Sequence, residues 1–236
     1  MVSRMVLLSG GAAVGKTALL RHLIPALSGA ERPCVCKIDC LQTGDHHIFS
    51  ALGVPALAGL SEDVCPDHYL ASNMPELLSW AESEDCSLLL VETAGLCHRC
   101  CPATEKTVNI CVVDATVSVR SPGKLGPMLT TADIIVLTKI DLISQAEREI
   151  IASMIQALNP GAAIIPVDGL CGYGVELLAH AILKTPPVAD FEGDMLRSSM
   201  PAGVCSYCIG EQRIGQNFQQ GVVRKIALPA KKEVPA

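Results

Sequence analysis

Six stretches of the chain are almost continuously apolar: Met5–Ser9, Cys34–Ile38, Ser87–Val91, Val108–Val113, Ile134–Leu137 and Ala163–Val167. A strand with one wet face alternates polar and apolar residues. Unbroken runs of this kind indicate burial on both faces, as in a parallel sheet covered by helices on either side. Between the runs, apolar residues recur at helical spacing over 16–27, 73–83, 144–158 and 174–184. The alternation predicts an α/β fold, a doubly wound and mostly parallel sheet that takes its ligands at the carboxyl ends of the strands.

The pattern changes after Lys184. Thr185-Pro-Pro opens a segment richer in Pro, Gly, Gln and charge. The expected organisation is a nucleotide-binding unit over 1–184 and a small C-terminal extension over 185–236, with Pro229 to Ala236 as a tail. A chain of 236 residues fits one α/β domain plus such an appendage. Half of the residues are hydrophobic but only 3% are aromatic, so the core must be built from Leu, Ile, Val and Ala. A net charge of −6 argues against a nucleic-acid surface. No apolar run approaches the roughly 20 residues that span a bilayer. The N-terminal run is too short for an export signal, so a cytoplasmic location is expected. The 12 cysteines are then expected as reduced thiols.

The first apolar run leads straight into Gly10-Gly-Ala-Ala-Val-Gly-Lys-Thr17, a full match to G-x-x-x-x-G-K-[ST], and Ala18 continues into a helical pattern. Strand, glycine turn and helix N-terminus place backbone N–H groups around phosphate oxygens. Gly10, Gly11, Ala12, Ala13, Val14, Gly15 and Ala18 would form the cradle, Lys16 would reach the β/γ-phosphates, and Thr17 would bind Mg²⁺. The fold class is thereby a P-loop nucleoside triphosphatase. Asp39 and Glu92 end two of the strands and are candidates for the Mg²⁺ shell or for orienting the attacking water; a capping or turn role is the alternative for Glu92. Gly95 stands where many such proteins sense the γ-phosphate. Thr138-Lys139-Ile-Asp141 follows the fifth run, and the Asp141 carboxylate can accept from both guanine N1–H and the 2-amino group, which adenine does not offer. A solvated Lys/Asp turn is the plain alternative.

Two further clusters carry soft donors. Cys97, His98, Cys100 and Cys101 lie within five residues and suit Zn²⁺, Ni²⁺, Cu⁺ or an iron–sulfur cluster. Adjacent cysteines cannot all reach one tetrahedral ion, so another segment or subunit should complete the shell; free thiols are the alternative. Cys205-Ser-Tyr-Cys208 sits in a Gly-rich polar stretch and reads as a half-site for zinc or an iron–sulfur cluster, with a redox dithiol or two incidental thiols as rivals.

Over residues 5 to about 184 the chain resembles the metal-handling GTPases of hydrogenase and urease maturation, HypB and UreG, and the related CobW proteins. Glu92-Thr-Ala-Gly-Leu96 is similar to the E-T-x-G-L of CobW-type members, and Asp39-Cys-Leu-Gln-Thr43 to a segment of the hydrogenase branch. Ala132-Asp133 followed by Thr138-Lys-Ile-Asp-Leu142 resembles that branch's approach to N-K-x-D-L, with Thr for Asn. Asn159-Pro160, Ile164-Ile-Pro166 and Gly172-Tyr-Gly174 match its last signature in layout, with Asp168-Gly-Leu170 in place of S-A-K. The resemblance implies GTP, Mg²⁺ and a nickel or zinc site at a homodimer interface. Cys65-Pro-Asp-His68 stands for the Cys-His pair of that branch, and Cys101-Pro102, following Cys97, stands for its Cys-Pro. The expected activity is GTP hydrolysis that gates delivery of a metal, nickel first, to a metalloenzyme or its maturation factor. Turnover should be slow, because no catalytic Arg or Gln is evident in cis. One alternative is a nucleotide-driven activator that carries an iron–sulfur cluster on Cys205 and Cys208 for a redox or corrinoid enzyme. Another is a non-catalytic nucleotide switch that recruits a partner through residues 190–236.

Overall fold

The computed structural model describes residues 1–200, 207, 210–221 and 224–229. Seven strands form one sheet: β1 (Arg4–Ser9), β2 (Pro33–Asp39), β3 (Ala56–Leu60), β4 (Leu88–Glu92), β5 (Val108–Asp114), β6 (Ile134–Thr138) and β7 (Ala163–Pro166). The order is β3-β2-β4-β1-β5-β6-β7, and every pairing is parallel. The helices are α1 (Lys16–Ser28), α2 (Asp45–Ser50), α3 (Pro66–Ser83), α4 (Pro127–Thr130), α5 (Gln145–Leu158) and α6 (Val175–Lys184). Among the described residues no helix is long and apolar enough to cross a membrane.

The doubly apolar strands are explained by the side chains on each face. Val6 and Leu8 of β1, Leu88 and Leu90 of β4, and Ile110 and Val112 of β5 pack with α1 and α6. Their alternates turn to the other face. There, Leu7, Leu89 and Val91 meet α3, while Cys111, Val113, Ile135 and Leu137 meet α4 and α5. The chain leaves β1 toward β2 on one side and returns through β4 to reach β5 on the other. A crevice therefore opens beside the carboxyl end of β1, where ligands of such sheets bind.

Three elements differ from the sequence expectation. β3 is not among the apolar runs: Ala-Leu-Ala-Gly-Leu is short and made of weak strand formers. It exists because β2 templates it at the sheet edge, Val35 opposite Ala56. α2 is likewise absent from the helical stretches, because six residues are too few to show a period. α3 begins at Pro66 rather than near residue 73. Proline at the first helical position is pre-set for a helix start, but the buried polar side chains of Asp67, His68, Ser72 and Asn73 break the apolar period that would have announced it.

Residues beyond 185 pack against this framework. Phe191, Leu196, Met200, Tyr207, Ile214 and Ile226 share one apolar cluster with Tyr69, Leu70 and Trp80 of α3. Two polar anchors hold them. Asn73 donates to the carbonyls of Tyr69 and Arg224 (both 2.8 Å) and accepts from the Ile226 amide (2.9 Å). Arg197 pairs with Asp133 at 2.8 Å and donates to the carbonyls of Thr104 (2.7 Å), Thr131 (2.9 Å) and Thr107 (3.2 Å). Charged donors to half-buried carbonyls are worth more than neutral ones. Arg197→Ala should therefore lower the unfolding free energy by about 2–3 kcal/mol, read as a drop in urea midpoint at unchanged slope. A midpoint shift within error would mean that these contacts add nothing.

Candidate functional site

The turn between β1 and α1 is held in the conformation that phosphate binding needs. Gly10 has φ +135°, and a Cβ there would collide with the Val112 carbonyl oxygen. Gly15, φ +95°, caps α1 with no side-chain acceptor on the first helical amides, which leaves that end suited to an anion. Lys16 is buried and donates to the carbonyls of Gly10 (3.0 Å) and Gly11 (2.7 Å). Burial pushes its ammonium down to about 8, the nearby Lys37 charge acts in the same direction, and Glu92 opposes both. The segment after β4 seats directly on this turn. A Cβ at Gly95, φ +76°, would strike the Gly10 carbonyl oxygen and approach Lys16 Nζ.

Beside Lys16, four polar groups converge. Thr17 Oγ1 donates to Glu92 Oε1 at 2.8 Å and lies 3.3 Å from Asp45 Oδ2. Lys37 Nζ is 2.6 Å from Glu92 Oε1 and 3.4 Å from Asp45 Oδ2. Glu92 is 1% exposed, and its Oε2 has no hydrogen-bond partner among the described residues. A hydroxyl and two carboxylates, one of them with this buried oxygen, suit a hydrated Mg²⁺ that also holds triphosphate oxygens. Asp39 lies near enough to act on the Lys16 charge, but its Oδ1 accepts from the Cys40 amide at 2.8 Å, and Asp45 is the residue that reaches Thr17. Lys37 and Asp45 were not singled out from sequence. A lysine inside an otherwise apolar strand was the available signal for the first.

Thr138 and Lys139 grip the same turn from the other side. Thr138 Oγ1 donates to the Val14 carbonyl at 2.7 Å. Lys139 Nζ donates to the Ala13 carbonyl at 3.2 Å and to Asp114 Oδ2 at 2.5 Å. Burial pushes the Asp114 carboxyl up, but hydrogen bonds from Lys139 and Thr116 together outweigh it and hold the group below its usual range. Asp141 is exposed and shares a cavity of about 300 Å³ with Gly15, Ala18, Lys139 and Asp168. Asp168 orders its own loop by accepting from the Leu170 (2.8 Å) and Cys171 (3.2 Å) amides.

The thiols gather one loop away. Cys65 is the N-cap of α3, and His68 follows within the first turn. Possible ligand atoms of Cys65, His68 and Cys100 all lie within 4.8 Å of one another, as do those of Cys65, Asp67 and Cys97. Cys65 is held well below the usual thiol range, first by a hydrogen bond from Cys100 and then by His68 and the amides of Asp67 and His68, against burial. A thiolate at a helix N-terminus is the form a soft metal binds. Burial, and then the Cys65 charge, push the Asp67 carboxyl up to about 8. His68 Nε2 lies 3.0 Å from the Met200 carbonyl, an arrangement that commonly orients a ligating imidazole. The structure does not bring Cys101 to this group. It lies in the α4–α5 cluster with its Sγ 3.7 Å from Thr131 Oγ1, whereas Cys100 lies in the α3 cluster. His98 is exposed and faces the cavity beside Gly11 and Ala12. Cys205 and Cys208 lie outside the described residues.

A central parallel strand, a glycine turn closing on a buried lysine, and carboxylates at the ends of neighbouring strands define a P-loop nucleotide-binding protein. The profile of the CobW/HypB/UreG nucleotide-binding domain matches residues 4–166, and the chain belongs to that family. It is 42% identical over 224 residues to an uncharacterized protein of Methanocaldococcus jannaschii, covering 94% of this chain and 96% of that one. It is 27% identical over 188 residues to urease accessory protein UreG 2 of Streptomyces griseus, covering 73% and 83%. The hydrogenase maturation factor HypB of Archaeoglobus fulgidus superposes with a TM-score of 0.63 at 23% identity, over 77% of this chain and 89% of that one. HypB of Helicobacter pylori, solved in complex with nickel, gives 0.63 at 18%, over 77% and 86%.

The low ammonium value of Lys16 has a measurable outcome. A triphosphate binds the charged form and so raises the value in the complex. Affinity should be flat below the value of about 8 and fall above it, by at most about tenfold per pH unit. Lys16→Arg, which does not titrate in this range, should remove the decline. A profile that is flat to pH 10 in the wild type would contradict the assignment.

Proposed function

We propose that the chain is a GTP-hydrolysing metallochaperone: it loads a transition metal on Cys65, His68, Cys97 and Cys100 and releases it to a metalloenzyme or maturation factor in step with its nucleotide. The observation that carries this reading is the shared segment after β4. Gly95 rests on the phosphate loop, and of the next thiols along, Cys100 joins Cys65 and His68 while Cys97 joins Cys65 and Asp67. A shift of Gly95 on binding or loss of the γ-phosphate therefore moves two of the metal's donors, an order–disorder switch of familiar kind.

The chemistry of each part follows from its placement. Lys16 and the loop amides stabilise charge growing on the β/γ-oxygens, and phosphoryl transfer needs little beyond such positioning. Thr17, Glu92 and Asp45 would hold Mg²⁺, which would supply further neutralisation of those oxygens. Asp141 reads guanine in the cavity behind Lys139. The cargo donors are three thiols and an imidazole, a set suited to Ni²⁺ or Zn²⁺. Nickel is favoured by the nickel-bound Helicobacter pylori neighbour and the urease accessory relatives. Cys65, His68 and Cys100 meet within one chain, so a homodimer would add to a ligand set already begun in each subunit. Cys205 and Cys208 remain candidates for a second thiolate site.

Cys65→Ala and Cys100→Ala should each weaken Ni²⁺ or Zn²⁺ binding by about tenfold or more, measured by competition with a chromophoric chelator, while GTP affinity stays within about twofold. Cys101→Ala, outside the cluster, should leave metal affinity unchanged. Equal metal affinity across all three variants would sink the thiol site. Tight metal binding that is indifferent to GTP, GDP or no nucleotide would sink the coupling.

A further inference from the structure

The carboxylate pair beside Thr17 already holds a cation that belongs to the chain. Lys37 lies in β2 directly in register with Glu92 in β4. Its side chain is only 8% exposed, in a strand packed on both faces, where an ammonium persists only with anionic partners. Nζ is 2.6 Å from Glu92 Oε1 and 3.4 Å from Asp45 Oδ2. These are the same two oxygens that Thr17 Oγ1 contacts at 2.8 and 3.3 Å. The Thr17 hydroxyl and both carboxylates are therefore gathered around an ammonium. Lys16 stands close enough for the two lysines to feel each other's charge. Lys37 thus faces Glu92 and Asp45 at close range, while Lys16 feels Glu92 and, less strongly, Asp39. A divalent cation arriving with a triphosphate meets Lys37 at the very oxygens it must approach.

We propose that Lys37 is a tethered cation that occupies the place of Mg²⁺ at Glu92 and Asp45 and is displaced from them when metal nucleotide binds. It is a positioning residue, and it sets how strongly nucleotide binding depends on Mg²⁺. The inference rests on the reading of residues 10–17 as a triphosphate site. With Lys37 present, Lys16 and Lys37 together neutralise an incoming triphosphate, and Mg²⁺ adds little affinity because it must first displace a like charge. Without Lys37, the two carboxylates repel a bare triphosphate and bind Mg²⁺ unopposed, so the coupling between metal and nucleotide grows.

The test is the dissociation constant of a fluorescent GTP analogue measured in Mg²⁺ and in EDTA, expressed as a ratio. The wild type should show a ratio within about tenfold. Lys37→Met and Lys37→Gln should raise it by a further tenfold or so, and Lys37→Arg should keep the wild-type ratio. The Gln variant retains a hydrogen-bond donor toward Glu92 and serves where the Met variant does not fold. A merely structural role for Lys37 would lower both affinities together and leave the ratio unmoved. An unmoved ratio with normal nucleotide binding overturns the inference alone. Failure of the folded wild type to bind the analogue in either condition overturns the nucleotide reading and this inference with it.

Discussion

A carboxylate that is 1% exposed at the end of β4 organises this molecule. Burying Glu92 is unfavourable unless its charge is met, and it is met from two directions: by the Thr17 hydroxyl at the start of α1 and by the Lys37 ammonium on β2. The phosphate loop, the second strand and the segment leading to the thiols are thus tied to one oxygen. Gly95, three residues on, has no room for a side chain because the backbone of the phosphate loop fills it. The electrostatic demand of Glu92 and the steric demand at Gly95 set where the segment carrying Cys97 and Cys100 leaves the phosphate loop.

The base side of the site has a different logic. Thr138 and Lys139 spend their polar atoms on the carbonyls of Val14 and Ala13 rather than on a ligand. They shape the loop, whereas Asp141 is exposed and lines the neighbouring cavity.

How much of this was legible in the chain depends on whether the cause was local. The phosphate loop is a linear motif, and six strands announced themselves because both of their faces are apolar. β3 gave no such signal, since Ala56-Leu-Ala-Gly-Leu60 is a strand only by virtue of its neighbour. The first turns of α3 were hidden by the buried polar residues that make them useful. Lys37 and Asp45 are 8 residues apart in sequence and reach Glu92 only through sheet register and the placement of α2. The sorting of Cys100 from Cys101 into different clusters is likewise invisible in a string of four donors. Motif-borne chemistry was readable; chemistry assembled across strands was not.

The strand order has a consequence for how the chain comes to be folded at all. β1 lies far from both of its partners along the chain: Arg4 pairs with Leu88 and Val6 with Val108. During synthesis the central strand, with its Val-Leu-Leu run, must wait unpaired until β4 and β5 have emerged. Its partners are non-local, so loop closure comes before any reward from pairing, a pattern that slows folding and leaves apolar segments open to aggregation. α1 gives β1 an early cover, since Leu19, Leu20 and Leu23 pack with Val6 and Leu8. The strand–loop–helix unit is thus also a local shelter for the strand it begins with, available before β4 and β5 have been made.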